Sequence, residues 1–246
     1  MCTLAIAFRA RPDLALAITA NRDELYDRPS AGPRLEGAVL APVDLRGGGT
    51  WLGLNARGLF VGVTNRAGGS RDPSRRSRGL LVQGALQAHD ARSLHAQLAS
   101  LSATTYNGFH LLYADREAAF VTWSDGARVT QLALQPGVHV FTERSFGAGL
   151  TDREPLVARA LEKLTDSVEG ITAEALRELV RFHGPPDAPL DGACVHAPAF
   201  NYGTRSSFQL VLPAVGEPLA LWTEGPPCSA PSDEIAGLVR TLFSSA

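Results

Sequence analysis

The sequence predicts an α+β fold in which antiparallel sheets carry helices on their outer faces. Short apolar strand candidates fill the first third of the chain. Two helical blocks, around residues 79–100 and 154–183, have apolar residues three and four positions apart, and strand candidates follow each block. This alternation of strand runs and helix runs is typical of the α+β class. We therefore expect two stacked antiparallel sheets between helical layers, within one domain spanning residues 1–246.

The first strands form a predicted hairpin. Thr3–Phe8 is apolar throughout, a turn is expected at residues 9–13, and a second strand at 14–19 leads into the polar run Asn-Arg-Asp-Glu at 21–24. Residues 26–33 contain two prolines and a glycine, so an irregular loop is predicted there. The hairpin would bring a charged cluster close to the beginning of the sequence.

The later elements follow from the same patterns. Two short strands are predicted around the turn at 56–58, followed by an arginine-rich loop at 66–78. The helical block at 79–100 breaks near residues 88–90, which indicates two helices. The remaining predictions are a four-strand antiparallel meander at 109–113, 118–123, 129–134 and 138–142, helices at 154–164 and 173–183, strands at 208–212 and 219–223, and a cap at 232–234 for a final helix ending near 243.

Composition narrows the function classes. A formal charge of −2 gives no general attraction to nucleic acid or to an anionic membrane. No apolar run approaches the roughly 18–20 residues that a membrane span requires, and no secretory signal precedes the first strand. Three cysteines without CxxC spacing favour a reducing compartment. These features predict a cytoplasmic protein without a nucleic-acid partner and without a membrane span, and they leave the oligomeric state open.

Cys2 is the main candidate for a catalytic residue. Removal of Met1 would give one residue both a thiol, with an ordinary pKa of about 8.5, and an α-amino group, with a pKa of about 7.7–8.0. Such a residue can act as nucleophile and base together. Alternation along a strand places Asn21 and Asp23 on one face, and we prefer this pair as neighbours of the terminal amine. The alternative is that Asp23 and Arg22 only satisfy loop groups and each other.

Asn65 is a candidate oxyanion donor. It follows an apolar strand, and its amide can donate a hydrogen bond to a carbonyl oxygen without changing protonation. A local turn-forming role is an equal alternative. The six histidines show no metal-ligand spacing, so no metal site is predicted, and Cys194 and Cys228 are expected to be ordinary thiols. The arginine-rich loop at 66–78 either contacts ligand phosphates or carboxylates, or is solvated surface.

Several motifs together resemble the NRDE family, also called the Transport and Golgi organization protein 2 family. The matching segments, in the order of the family, are Met1-Cys2, Ala20-Asn21-Arg22-Asp23-Glu24 with Tyr26 and Arg28-Pro29, Gly48-Gly49-Thr50-Trp51-Leu52-Gly53, Val63-Thr64-Asn65 and Tyr202-Gly203-Thr204-Arg205-Ser206-Ser207. Each motif is weak by itself, but their joint occurrence is specific.

The resemblance implies a fold and a chemistry. The family is similar to the N-terminal nucleophile hydrolases, which have a four-layer αββα sandwich, and in particular to choloylglycine hydrolases and penicillin V acylases. Their Arg-Asn-x-Asp motif falls on Asn21 and Asp23, but this chain has Ala20 where those hydrolases have arginine. A second departure is Glu143, near the position where they have an oxyanion-binding asparagine.

Two functions follow from the resemblance. The first is a carrier of haem or of an acyl-CoA-like amphiphile, with Cys2 as a thiolate ligand to iron and Arg22 or Arg205 pairing with propionates or phosphates. The second is a hydrolase of amides or thioesters that uses Cys2, Asn21, Asp23 and Asn65 and requires no cofactor. Because two hydrolase positions are altered, the sequence favours the carrier.

Overall fold

The computed structural model describes residues 2–69, 71–168 and 170–245. The strands of these ranges are, in chain order, β1 (Thr3–Phe8), β2 (Leu14–Leu25), β3 (Ser30–Glu36), β4 (Val39–Asp44), β5 (Leu52–Asn55), β6 (Phe60–Asn65), β7 (Phe109–Ala114), β8 (Ala119–Ser124), β9 (Val129–Ala133), β10 (Gly137–Phe141), β11 (His196–Ala197), β12 (Tyr202–Pro213), β13 (Leu219–Glu224) and β14 (Ser232–Glu234). The helices are α1 (Arg78–Ala85), α2 (Ala91–Leu98), α3 (Arg153–Thr165), α4 (Ala173–Glu178) and α5 (Ala236–Ser244).

The chain forms two compact units. The first comprises the described residues within 2–28, 136–142 and 150–240, and the second those within 29–135, 143–149 and 241–245. Each unit is built around one antiparallel sheet. The predicted α+β class is therefore confirmed, whereas the single domain spanning 1–246 stays a prediction. No helix in the described part of the chain has both the length and the apolar composition needed to cross a membrane.

The sheet of the first unit has the order β10-β1-β2-β12-β13-β14, with β11 added beside β12. Helices α3 and α4 pack against it. Small side chains on alternate strand positions, such as Ala5, Ala7 and Ala17, meet Leu161 of α3 and Leu176 of α4 in a common core. Because strand side chains alternate, Asn21 and Asp23 continue this helix-facing side of β2 toward its end.

The longest pairing of this sheet joins β2 to β12. The register runs from Tyr202 opposite Leu25 to Pro213 opposite Leu14. It slips where Thr204 lies opposite Asp23 and Ser206 lies opposite Arg22, so Arg205 is an extra residue in β12. A bulge of this kind redirects the side chains on either side of it.

The sheet of the second unit has the order β3-β4-β5-β6-β7-β8-β9, and α1 and α2 pack against it. The presence of glycine in the segment before β5 has a steric reason. Gly49 has a φ of +74°, and a Cβ at this position would lie 2.4 Å from the carbonyl carbon and oxygen of Gly79. Only glycine therefore allows the segment to approach the start of α1 so closely.

The structure corrects three predicted elements. Strands β7, β8 and β9 are consecutive neighbours as expected, but β10 leaves this meander and pairs with β1. The segment predicted as loop at 26–33 already contains the start of β3. Residues Ser232–Glu234 form the edge strand β14 rather than a simple cap, although Glu234 still accepts a hydrogen bond from the backbone N–H of Ala236 at 2.6 Å.

Candidate functional site

Cys2 immediately precedes β1, within the first unit. Thr3 pairs with Asn21 and Leu4 with Ala20, so extending this register by one residue places Cys2 opposite Arg22. The cysteine is 8% exposed. Met1 lies outside the described residues, so its removal stays a prediction.

The surroundings of Cys2 raise the pKa of its thiol. Burial is the largest cause, and the negative charge of Asp23 acts in the same direction. The backbone N–H of Asp23, which donates toward the sulfur, and the positive charge of Arg22 oppose the rise in pKa. The thiol therefore stays protonated at neutral pH, and a nucleophilic role requires a nearby base.

Asp23 is buried and held from several sides. Thr204 Oγ1 donates a hydrogen bond to Asp23 Oδ1 at 2.6 Å, and the hydroxyl of Tyr202 donates to the Asp23 carbonyl oxygen at 2.8 Å. Arg153 Nη1 lies 3.8 Å from Asp23 Oδ2. The carboxylate therefore has a fixed position beside a buried positive charge.

The direction of the hydrogen bond from Thr204 follows from its other partner. The backbone N–H of Val195 donates to Thr204 Oγ1 at 2.8 Å. A backbone N–H can only donate, so this contact uses a lone pair of the hydroxyl and leaves its proton for Asp23. Thr204 therefore links the segment before β11 to the acidic end of β2.

Arg153 is a residue that the sequence analysis missed. It is 1% exposed, begins α3, and donates from Nη1 to Thr3 Oγ1 at 3.3 Å. Its position in the first turn of a helix could have drawn attention to it. The helix dipole favours acidic residues there, so an arginine is unusual at that end. A buried cation at that end requires an anionic partner, and Asp23 supplies one.

Asn21 links β2 to the segments that pack on its helix-facing side. Its Nδ2 donates to the carbonyl oxygen of Val180 at 2.9 Å and to that of Ala193 at 2.7 Å. The side chain is fully buried, and its Oδ1 has no hydrogen-bond partner among the described residues. Asn21 Oδ1 is therefore a buried acceptor that is available for a further hydrogen bond.

The two candidate ligand-binding arginines differ in exposure. Arg22 is 4% exposed and lies 4.0 Å from Glu24, measured between Nη2 and Oε2. Arg205 is half-buried in the bulge, with its guanidinium carbon 5.9 Å from the ring centre of Tyr26. The buried Nε of Arg205 has no hydrogen-bond partner in the described part of the chain. Arg205 is thus the better placed of the two to meet an anionic ligand.

Asn65 belongs to the second unit. It ends β6, lies opposite Phe109 in the register, and is exposed. Its role as an oxyanion donor stays a prediction. Glu143 also belongs to this unit, where it is buried and lies 3.6 Å from Arg144, measured between Oε1 and Nε.

The first unit also brings together His183, Cys194, His196 and Cys228, which are scattered in the sequence. Neither of the two cysteines stands out by its spacing. Among the residues that the structure describes, these four lie close enough together to hold a metal ion.

Comparison with known proteins assigns the family. A family model described as Transport and Golgi organisation 2 matches residues 1–217. The chain belongs to this family. The Transport and Golgi organization protein 2 homolog of Bos taurus is 28% identical over 253 residues, which cover 88% of this chain and 90% of that protein. The resemblance drawn from the motifs is confirmed.

Solved structures identify the fold of this Transport and Golgi organisation 2 family member. Penicillin V acylase from Agrobacterium tumefaciens is similar with a TM-score of 0.52 at 15% identity, over 91% of this chain and 86% of that one. The mutant C2A of conjugated bile acid hydrolase from Clostridium perfringens is similar with a TM-score of 0.56 at 9% identity, over 96% of both chains. At such low identities the similarity concerns the fold alone, and it agrees with the α+β, hydrolase-like fold that the resemblance implied.

Proposed function

We propose that this protein is an N-terminal cysteine hydrolase that cleaves an amide or thioester bond after removal of Met1. The observation that carries the proposal is the position of Cys2. Its buried thiol accepts a hydrogen bond from the backbone N–H of Asp23. The carboxylate of Asp23 is in turn held by Thr204 and Arg153. The likeness in fold to an acylase and a bile acid hydrolase supports the same chemistry.

The proposed reaction has two steps. The thiol proton of Cys2 moves to its own α-amine while the sulfur bonds to the substrate carbonyl carbon. The bond to the leaving amine or thiol breaks, and the leaving group takes that proton. Water then cleaves the resulting thioester, releases the acid and restores the thiol. The raised thiol pKa is consistent with this scheme, because the thiol needs a base before it can attack.

The neighbouring side chains have positioning roles in this scheme. Asp23 stabilises the α-ammonium group that forms when the amine accepts the proton. Asn21 Oδ1, which has no partner among the described residues, can accept one of the ammonium hydrogens. Arg153 places a buried guanidinium beside the carboxylate of Asp23. We infer that it replaces the arginine that the related hydrolases have at the position of Ala20.

Arg205 suggests the substrate class. Its Nε lacks a hydrogen-bond partner among the described residues, and its guanidinium lies close to an aromatic ring. Arginine in such a setting favours a carboxylate or a phosphate. We therefore propose an acyl amide or acyl thioester that carries an anionic group.

The carrier remains the second candidate, and the observation that favours it is the Arg205 Nε, which has no hydrogen-bond partner among the described residues. Haem propionates or the phosphates of an acyl-CoA would satisfy the same guanidinium. A carrier would bind its ligand without depending on the α-amine of Cys2.

The test combines processing, turnover and binding in one set of samples. Intact-protein mass spectrometry reports whether Met1 is removed. The protein is then incubated with N-acyl anilides and acyl-CoA thioesters of several chain lengths, and acid-quenched samples are searched for an acyl adduct on Cys2. Haemin is titrated in parallel. We expect a transient adduct, and we expect turnover to fall by more than about 10³-fold in Cys2→Ala, because the two-step path loses its nucleophile.

The matched control inserts one lysine between Met1 and Cys2, which keeps the thiol but blocks its amine. The proposal expects this variant to be as inactive as Cys2→Ala and to bind haemin as before. Turnover that persists in both variants would exclude Cys2 as the nucleophile. Saturable binding of haemin or acyl-CoA without any turnover would support the carrier instead.

A further inference from the structure

Four potential metal ligands of the first unit lie close together. The ligand atoms of His183, Cys194, His196 and Cys228 are all within 4.8 Å of one another. His196 Nε2 lies 3.6 Å from Cys194 Sγ and 3.2 Å from Cys228 Sγ. Zn–S bonds of about 2.3 Å and Zn–N bonds of about 2.0–2.1 Å in a tetrahedron separate the ligand atoms by roughly 3.3–3.8 Å. The cluster therefore needs only small side-chain rotations to surround a zinc ion.

We propose that these four residues form a tetrahedral Zn²⁺ site. A set of two sulfur and two imidazole ligands is typical of structural zinc centres. Two thiolates and two neutral imidazoles balance the charge of the ion, so the partly buried complex has no net charge. The site is independent of the proposed hydrolysis, and it departs from the expectation of no metal that the sequence spacing gave.

The backbone around the cluster fixes two of the ligands side by side. The backbone N–H of Cys194 donates to the carbonyl oxygen of Phe182 at 3.0 Å, which places Cys194 beside His183. The loop between them is closed by two glycines in direct contact, since a Cβ at Gly192 would lie 2.3 Å from the backbone nitrogen of Gly184. Any side chain at Gly192 would open this loop and separate the two ligands.

Arginines hold the turn that carries Cys228. Arg177 Nη2 donates to the carbonyl oxygens of Pro227 and Ala230, at 2.8 Å each. Arg181 Nη2 donates to the carbonyl oxygen of Cys228 itself at 3.1 Å. The backbone of the cysteine is thereby fixed, and its sulfur is left to face His196.

The burial of the cluster is compatible with a metal centre that solvent can reach. Cys194 is fully buried, Cys228 is half-buried, and His183 and His196 are exposed. Binding of Zn²⁺ would release the two thiol protons to solvent and form two Zn–S bonds. His183 and His196 also line a surface cavity of ≈ 350 Å³, which offers the ion a path to the cluster.

The site adjoins the segment that supports the candidate catalytic residues. The carbonyl oxygen of Ala193 accepts from Asn21, and the N–H of Val195 donates to Thr204, which in turn donates to Asp23. Zinc bound to Cys194 and His196 would hold these peptides in place. This part of the inference rests on the proposed function, whereas the metal site does not.

The experiment measures metal binding directly. Reduced, chelator-treated full-length protein is titrated with Zn²⁺, and bound metal is counted by mass spectrometry after desalting. Co²⁺ replaces zinc in a second titration, because tetrahedral cobalt with thiolate ligands gives intense visible absorption and a sulfur-to-metal charge-transfer band. We expect one ion per chain and a tetrahedral spectrum. Cys194→Ser and Cys228→Ser should each weaken zinc binding by more than about 100-fold, since even loss of an outer partner costs 10–100-fold.

Cys2→Ser and His89→Asn are the matched controls, because they remove one thiol and one exposed imidazole outside the cluster. Both should bind zinc as the unsubstituted protein does. Cys228 is only half-buried, so its substitution is expected to leave the fold intact, and the melting temperature without metal checks this. An octahedral cobalt spectrum, zinc binding that survives the Cys194→Ser/Cys228→Ser pair, or reduced protein that binds no zinc would overturn the proposal.

Discussion

At the scale of single residues, the charges around Cys2 act against each other. Asp23 raises the thiol pKa and Arg22 lowers it. We therefore predict that Asp23→Asn lowers the pKa of Cys2, because a negative charge beside the developing thiolate is lost. The rate of alkylation by iodoacetamide as a function of pH, followed by intact mass, should show its inflection at lower pH than in the unsubstituted protein.

The same substitution should have the opposite effect on catalysis. If Asp23 stabilises the α-ammonium group, turnover should fall by about 10²–10⁴-fold even though the thiol ionises more readily. Asp13→Asn, in the exposed turn of the same hairpin, should change neither quantity. A parallel rise of alkylation and turnover in Asp23→Asn would contradict the assigned role.

The ion pair of Arg153 and Asp23 makes a separate prediction about stability. Arg153→Met leaves a buried carboxylate without its cation, which typically costs about 3–5 kcal/mol of the free energy of unfolding. Urea denaturation measures this loss. Arg240→Met is the control, since the pair of Arg240 with Glu217 is exposed and worth less than about 1 kcal/mol. Adding Asp23→Asn to Arg153→Met should recover part of the loss, and strict additivity would show that the two groups do not interact.

At the scale of elements, two buried asparagines perform the same structural task in different units. Asn21 holds the carbonyl oxygens of Val180 and Ala193, and Asn55 holds those of Leu86 and Ala88. Replacing either by alanine leaves two buried acceptors without partners, at about 1–3 kcal/mol each.

We therefore predict that both Asn21→Ala and Asn55→Ala lose stability in urea denaturation. The loss should be larger in Asn55→Ala, because Asn55 Oδ1 also accepts from the backbone N–H groups of Arg57 and Leu59. Only Asn21→Ala should also reduce turnover or adduct formation at Cys2. Equal activity in the two variants would reduce Asn21 to a purely structural residue.

The elements that the sequence predicted well are the strands that are buried along nearly their whole length. Strands β1, β2, β6, β7 and β8 are almost entirely buried, and their apolar runs indicated them correctly. The strand β3 was missed because it contains a glycine and a proline and is largely half-exposed, so it has no apolar pattern. The partner of β10 could not be predicted, because its own pattern fits either sheet equally well.

The residues of the candidate site also fall into those that the sequence predicted and those that it missed. Cys2, Asn21 and Asp23 share one hairpin, so local alternation was enough to bring them together. Arg153 and Thr204 reach Asp23 from far along the chain, and no spacing rule connects them to it. The zinc ligands were missed for the same reason.

At the scale of the whole molecule, the two sheets differ in how far apart along the chain their partners lie. Strands β3 to β9 follow each other as neighbours in the second unit, whereas β2 must find β12 near the end of the chain. Closing so long a loop is slow. In pulse-labelling hydrogen exchange during refolding, we predict that amides of β6 to β8 gain protection before those of β2 and β12. Simultaneous protection of all these strands would contradict this order.

The bulge at Arg205 has a consequence for how this part of the sequence tolerates change in length. In a regular strand, deletion of one residue moves all side chains beyond the deleted position to the opposite face of the sheet. Here Thr204 and Ser206 already pair with the adjacent residues Asp23 and Arg22, so removing Arg205 would close the ladder and leave both pairings as they are. What would be lost is the guanidinium and the hydrogen bond from the N–H of Gly225 to the carbonyl oxygen of Arg205. A deletion at this single position should therefore be milder than the loss of either neighbour. It would leave Thr204 opposite Asp23 and remove only the guanidinium that we propose to bind an anionic group.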